Sequence, residues 1–184
     1  MQMIYRPEEI TDRNGNICVF RSLKQEDADE LNSFVEQGSG ESPFFPWAPG
    51  GTRLTGDNAA EYILEFEKAE RKMLLGAFRD GRLIGLTELS GMSEWVKMRH
   101  RCAVAAGMLK EAQGLGLGKK LTLAVIDVAR ELGFEQVECT TATSNEVSAA
   151  NLRSMGYEEY GMIPHKMKNE DGSYVDELKF VKWL

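Results

Sequence analysis

The stretch from Met108 to Leu121 constrains this chain most, because glycines stand there at alternate positions, Gly114, Gly116 and Gly118. Before it, Cys102 to Met108 is an apolar run of strand length. After it, Leu117, Leu121, Val125, Val128 and Leu132 recur at steps of three and four. That recurrence is the stripe of a helix packed on a sheet. The glycines therefore sit where a strand becomes a helix. Glycine admits φ > 0 and lets a ligand approach the main chain. The first amides of a helix lack intrahelical acceptors, and the helix dipole is positive there. Bare N–H groups in that place form an anion site, most often for phosphate.

Three phosphate readings compete with a ligand-free turn. A P-loop needs Gly-x-x-x-x-Gly-Lys-Ser/Thr; it fails because Lys120 follows Gly118-Lys119 and position 113 is Gln. A dinucleotide fingerprint needs Gly-x-Gly-x-x-Gly. Lys119 stands where its third glycine belongs, and the chain after the loop is too short for a doubly wound domain, although Glu138 imitates the acidic ribose partner. A plain glycine turn leaves unexplained why a good helix opens on glycines that cost about 1 kcal/mol each relative to Ala.

The third phosphate reading is a resemblance. Gln113-Gly114-Leu115-Gly116-Leu117-Gly118 resembles the Gln/Arg-x-x-Gly-x-Gly/Ala pyrophosphate loop of the GNAT superfamily of acyl-CoA N-acyltransferases. Asn145 to Tyr157 resembles that family's next motif, an Asn followed by a short amphipathic helix ending in Gly-Phe or Gly-Tyr, here Gly156-Tyr157. The closing run Asp171 to Leu178 is similar to the terminal hairpin of bacterial small-molecule and protein-terminus acetyltransferases in that superfamily.

Composition sets the outer bounds. The 184 residues are enough for one domain with a real core, and 42% hydrophobic with 28% charged residues is a soluble globular balance. A net charge of -7 argues against nucleic acid as a partner. No apolar stretch suits a membrane span, and Met1 to Ile10 lacks a signal peptide's apolar core. Cys18, Cys102 and Cys139, each in a strand-like run, read as reduced and buried, hence a cytoplasmic protein. A catalytic Cys102 is the sharper alternative to a small buried thiol.

In chain order, Arg6 to Asn16 reads as a polar lead-in with a turn at Asn14-Gly15, and Ile17 to Arg21 as a strand. Ser22 to Gln25 has the form of a capping box for a helix that Gly38 stops. Gly38 to Gly56 is irregular and holds Phe44, Phe45 and Trp47 among prolines; it is either a loop tucked on the core or a wall of an acceptor pocket. A helix from Asp57 to about Glu70 carries an acidic face. Strands Lys72 to Arg79 and Arg82 to Ser90 join at Asp80-Gly81. The strand Arg101 to Met108, the glycine loop and its helix, the strand Gln136 to Ala142, a helix Ser148 to Met155, and strands Tyr157 to Met167 and Tyr174 to Trp183 complete the chain. The expectation is a single domain over 1–184: α/β, with a mixed, mostly antiparallel sheet of about six to seven strands flanked by about four helices. The resembled family has the same order of elements. Sheet edges and a terminal hairpin leave room for a homodimer.

What the resemblance implies is transfer of an acyl group, usually acetyl, from acetyl-CoA as co-substrate to a primary amine of a small molecule or protein, with no metal. The amides of Gly114, Leu115, Gly116, Leu117, Gly118 and Lys119 would hold the pyrophosphate, with Gln113 fixing the loop and the Lys119 side chain adding charge or simply solvated. Main-chain groups of Met108 and Lys110 would pair with the pantetheine arm, and an N–H near Met108 or Leu109 would polarise the thioester oxygen. Asn145 would contact the arm, against a plainer role as a helix cap. The family's carboxylate on the strand before the loop is missing, since Cys102 to Ala106 offers none. Glu88 is the candidate base, with Glu94 and His100 behind it. Leu152 stands where the family often has a Tyr that protonates the leaving thiolate. These two departures keep open a non-catalytic acyl-CoA sensor on the same fold.

Overall fold

The apolar stripe after the glycines forms a helix, Leu117–Glu131, in which Leu117, Leu121, Val125 and Ile126 are fully buried. Burying each such side chain contributes about 1.5–3 kcal/mol, so this helix is a main fixed point of the core. The computed structural model describes residues 4–45, 57–169 and 171–184. Its elements are β1 (Glu8–Thr11), β2 (Ile17–Ser22), α1 (Ala28–Glu41), α2 (Asp57–Lys68), β3 (Lys72–Arg79), β4 (Arg82–Gly91), β5 (Arg101–Met108), α3 (Leu117–Glu131), β6 (Gln136–Ala142), α4 (Glu146–Ser154), β7 (Glu158–Lys168) and β8 (Tyr174–Trp183). One 8-stranded sheet takes the order β1-β2-β3-β4-β5-β6-β8-β7. Every neighbouring pair is antiparallel except β5 and β6. Among the described residues no helix is long and apolar enough to cross a membrane.

That parallel pair is where the sheet opens. β5 and β6 pair only at Arg101↔Gln136, Cys102↔Val137 and Ala103↔Glu138. Beyond Ala103 the strands part, while β5 stays on β4 down to Gly85↔Met108 and β6 stays on β8 to Ala142↔Glu177. Ala105 and Ala106, in a mid-sheet strand, are exposed as a result. The end of β5 is held to β4 by Met108. A Cβ on Gly85 would lie 2.5 Å from Met108 Sδ, and one on Gly118 would lie 3.3 Å from Met108 Cγ. The thioether thus fills a slot made by a glycine on β4 and another on α3, and an unbranched, polarizable side chain suits that slot.

Three expectations need correction. The sheet has eight strands, not six to seven, because the lead-in contains β1. This edge strand is mostly exposed and carries no alternating apolar signal. Gly38 does not stop α1, which runs to Glu41. A Cβ at Gly38 would overlap the Phe45 ring, so the glycine makes room for an aromatic rather than ending the helix. The capping box is displaced from Ser22, which belongs to β2 and accepts from the Tyr5 N–H at 2.9 Å. Asp27 takes that work instead. It accepts from the Lys24 N–H at 2.8 Å and from both ends of the Arg21 guanidinium at 2.7 Å. The expected aromatic loop lies in part outside the described residues; Trp47 falls there.

The β1–β2 turn is built on one carboxylate. Asp12, whose side chain is shut off from solvent, accepts from the Asn14 N–H (2.8 Å), the Asn16 N–H (2.9 Å), Asn16 Nδ2 (3.0 Å) and the Arg79 guanidinium (2.9 Å). The Asn16 side chain foremost, then the two amides and Arg79, overcome desolvation and hold the Asp12 carboxyl below its usual pKa. A folded-state pKa below the unfolded value of about 3.9 stabilises the native state above that pH and loses its effect as pH falls through the folded pKa. Asp12→Asn should therefore lower Tm at pH 7, and the gap to wild type should narrow below about pH 4. A gap that does not change with pH would show that the charge is not what holds the turn.

Candidate functional site

The opening between β5 and β6 leads straight to the glycine loop. The Leu109 N–H donates to Ile84 O at 3.0 Å, on the β4 side. Backbone groups alternate sides along an antiparallel ladder, so the Met108 N–H points into the gap. The chain then makes one turn of 3-10 helix, Lys110–Ala112, and Gln113 folds back so that its Nε2 donates to Met108 O at 3.2 Å. Gly114 and Gly116 have φ of 74° and 81°, values that L side chains adopt only at a cost of about 1–2 kcal/mol. Gly116 is the N-cap of α3. No side chain caps that end, and the first turn holds no acidic residue. The leading amides of a fifteen-residue helix are thus left for an outside acceptor.

The surrounding cations suit a polyanion. Lys119 Nζ reaches Ser154 Oγ at the end of α4 at 3.1 Å, and Lys120 Nζ reaches Thr11 O at 2.8 Å. Among the described residues neither forms an ion pair. The uncapped amides, the positive-φ glycines and these ammonium groups fit the diphosphate of an acyl-CoA.

Other expected groups are already engaged. Leu109 and Leu117 are buried in the core, and the Leu109 N–H is bonded within the sheet, which leaves Met108 as the amide facing the gap. The Lys110 N–H donates to Glu41 Oε2 at 2.7 Å, so it does not stand open to a pantetheine arm. Met108 O is held by Gln113. Leu115 gives its carbonyl to the β1–β2 turn. Asn145 caps α4, its Oδ1 accepting from the Ser148 N–H at 3.1 Å.

On the opposite face of the sheet from α3 lies a floor of small residues. Gly107 looks toward α1, where a Cβ would come within 3.0 Å of the Phe45 ring and 3.6 Å of Phe34. Side chains alternate faces along a strand, so Ala105 and Ala103 look the same way. Glu88 is the cross-strand partner of Ala105. It is half-buried, and α2 covers it: Tyr62 Oη donates to Glu88 Oε2 at 2.8 Å, and Ser90 Oγ donates to Oε1 at 2.9 Å. Burial and the neighbouring Glu88 charge raise the Tyr62 phenol pKa, so it stays a donor. His100 immediately precedes β5, eight residues and roughly 25 Å of strand from Met108, and Glu94 lies in the β4–β5 connection beside Arg71. Leu152 is buried in the core.

Tyr62 and Arg13 carry no sequence signal for a place here, and Glu138, read only as a ribose-partner mimic, has a different one. Tyr62 reads as an ordinary helix position, and only packing reveals its bond to Glu88. Glu138, across from Ala103 at the last paired rung, is buried and bonded to Arg101, Gln136 and Tyr160 Oη (3.0 Å). Arg13 lies in the stretch read as a lead-in, yet its guanidinium donates to Gly114 O. Among the described residues no group of His, Cys, Asp or Glu is arranged to hold a metal ion.

Comparison with known proteins gives two findings. A family model described as the acetyltransferase (GNAT) family matches residues 35–157. Solved structures share the fold at low identity. An acetyltransferase of the GNAT family from Streptococcus pneumoniae superposes with a TM-score of 0.85 at 21% identity, over 91% of this chain and 99% of that one. A ribosomal-protein-alanine N-acetyltransferase from Brucella melitensis gives 0.79 at 22%, over 90% and 99%. A Salmonella typhimurium protein described as an acetyltransferase, solved with its cofactor acetyl-CoA, gives 0.78 at 18%, over 91% and 94%.

The cysteines play no part in these surfaces. All three are free and buried. Burial pushes the Cys102 thiol up to about 12 and the Cys139 thiol, packed against the Tyr157 hydroxyl, up to about 11. The thiolate is the nucleophile, so neither is reactive near neutral pH. An aromatic disulfide reagent at pH 7.5 should leave the native protein unlabelled and titrate all three thiols after denaturation. Rapid labelling of Cys102 in the native state would return it to the catalytic candidates.

Proposed function

The chain belongs to the GNAT acetyltransferase family, and on that basis we propose that it transfers an acetyl group from acetyl-CoA directly to a primary amine, with both substrates bound together. The observation that carries this reading is the parting of β5 from β6 beyond Ala103, which opens a slot from the uncapped end of α3 to the small-residue floor beside Glu88.

Acetyl-CoA supplies an activated thioester. The amides around Gly114 to Lys119 and the Lys119 ammonium bind its diphosphate, and Gln113 holds the loop against the strand end. The Met108 N–H, directed into the gap, polarises the thioester carbonyl as charge develops on oxygen. Asn145 follows the end of β6, the strand that borders the slot, and caps α4. Glu88 takes the proton from the acceptor ammonium, directly or through one water, while Tyr62 and Ser90 fix the orientation of its carboxylate. Phe45 and Phe34 supply an apolar wall near Gly107.

The acceptor is a small amine or the α-amine of a protein terminus; the name of the Brucella neighbour supplies a precedent for the latter. A second reading, an acyl-CoA sensor without turnover, rests on Leu152 and its lack of a proton donor. The absence of a carboxylate on β5 weighs less for that reading, because β4 brings Glu88 to the same floor.

Calorimetric titration with acetyl-CoA, with NADH as control, tests the cofactor half. Gly116→Trp should abolish acetyl-CoA binding while the protein still unfolds cooperatively, since a positive-φ substitution costs only about 1–2 kcal/mol. Unchanged affinity in the folded variant would refute the loop assignment. In an amine panel with thiol detection, Glu88→Gln should lower kcat by about 10²–10⁴-fold and leave acetyl-CoA affinity intact, with a smaller loss for Tyr62→Phe. Binding without thiol release from any amine would favour the sensor.

A further inference from the structure

The β1–β2 turn lies outside residues 35–157, the stretch the family model matches, yet it packs directly on the glycine loop. The Arg13 N–H donates to Leu115 O at 3.1 Å, and its guanidinium donates to Gly114 O at 3.2 Å. A Cβ on Gly116 would come within 3.3 Å of Arg13 Nε, so the side chain lies against the residue that opens α3. In the other direction, Lys120 Nζ on α3 donates to Thr11 O at 2.8 Å. The turn is a firm support, because the solvent-shielded Asp12 gathers two of its amides, Asn16 and Arg79 onto one carboxylate. Among the described residues the Arg13 guanidinium meets no carboxylate, in a chain whose net charge is -7.

These contacts fall on the carbonyls of consecutive loop residues. A loop whose Gly114 and Leu115 carbonyls are tied to one side has its conformation set before any ligand arrives. Pre-organisation of this kind reduces the ordering cost of binding. The same residue adds a fixed positive charge beside the positive end of α3.

We propose that Arg13 is a further positioning residue for the cofactor: it braces the glycine loop from its carbonyl side and raises the positive potential at the loop's diphosphate face. The assignment rests on the acetyl-CoA reading above. It makes Arg13 act on the phosphate half of the ligand and leave the thioester arm alone. It also gives the edge hairpin β1–β2, remote from the acceptor floor, a functional reason to be tied to α3.

The test compares wild type with Arg13→Ala, Arg13→Lys and Arg13→Gln. Arg13 is exposed, and thermal melts establish that each variant folds. Two probes are used, acetyl-CoA and S-acetylpantetheine, which carries the thioester arm without the diphosphate; binding is read by calorimetry or by ligand-induced shift in Tm at 50 and 500 mM NaCl. Arg13→Ala should weaken acetyl-CoA binding about tenfold, the scale of one charged hydrogen bond, with S-acetylpantetheine unchanged. Arg13→Lys should recover part of the loss, and Arg13→Gln should show a flatter salt dependence than wild type. Unchanged acetyl-CoA affinity in Arg13→Ala, or equal losses for both probes, overturns the assignment. Failure of wild type to bind acetyl-CoA overturns the functional reading itself, a result visible before any variant is made.

Discussion

The site depends on one strand end being held on one side only. Met108 lies across Gly85 and under Gly118, so the last residues of β5 stay with β4 and α3. β6 is held just as firmly by β8. Each strand follows its own outer neighbour while their mutual pairing ends, so the sheet parts after Ala103↔Glu138. Open sheet edges are ordinarily a liability. Here the exposed backbone lies inside the molecule's own cleft, where a ligand with amide groups can occupy it. A side chain at Gly85 would collide with the Met108 thioether and so disturb the cleft from outside it.

Charge is divided along the same axis. The chain is acidic overall, yet Arg13, Lys119 and Lys120 gather at the open end without carboxylate partners among the described residues. On the other face, among the described residues, Glu88 accepts hydrogen bonds from two neutral hydroxyls and meets no cation. A carboxylate held by hydroxyls keeps its charge available to a cation, whereas one locked to an arginine, as Glu138 is to Arg101, does not. The cleft therefore offers positive groups to a diphosphate and, on the far side of β5, a negative group to an ammonium. Both substrates of the proposed reaction can be admitted without sharing a surface.

Most of this was legible in the sequence, and the failures have physical causes. The strands Lys72–Arg79, Arg101–Met108 and Gln136–Ala142 were readable to the residue, the first two as apolar runs bounded by turn chemistry and the third by its alternation and β-branched residues. The glycine loop was readable because positive φ leaves few residue choices. β1 was not, since an exposed edge strand needs no alternation. Gly38 misled because a glycine that admits a ring looks like one that ends a helix. The capture of the Lys110 N–H by Glu41 joins residues 69 apart, and no periodicity reports such a bond. Tyr62 and Arg13 were missed for the same reason: each matters through a partner that only the fold brings near.

The leucine at 152 sharpens the chemical question. On the proposed reaction two protons must move, and they are not equally hard to move. A lysine-like amine with a pKa of about 10.4 is neutral in only about one part in 2,500 at pH 7, a barrier of roughly 4–5 kcal/mol. Protonation of a departing thiolate whose acid has a pKa of about 8.5 is, by contrast, downhill at pH 7 by about 2 kcal/mol. On the proposed reaction the base therefore bears the larger share, and the lack of a donor at position 152 costs less than the lack of a carboxylate would. Leu152 exchanges that smaller contribution for apolar packing in the core beneath α4. The same arithmetic bears on the proposed acceptor. An α-amine, with a pKa of about 7.7–8.0, needs only roughly 1 kcal/mol of help, so with Glu88 as the base the proposed reaction asks less of the site for an α-amine than for a lysine side chain.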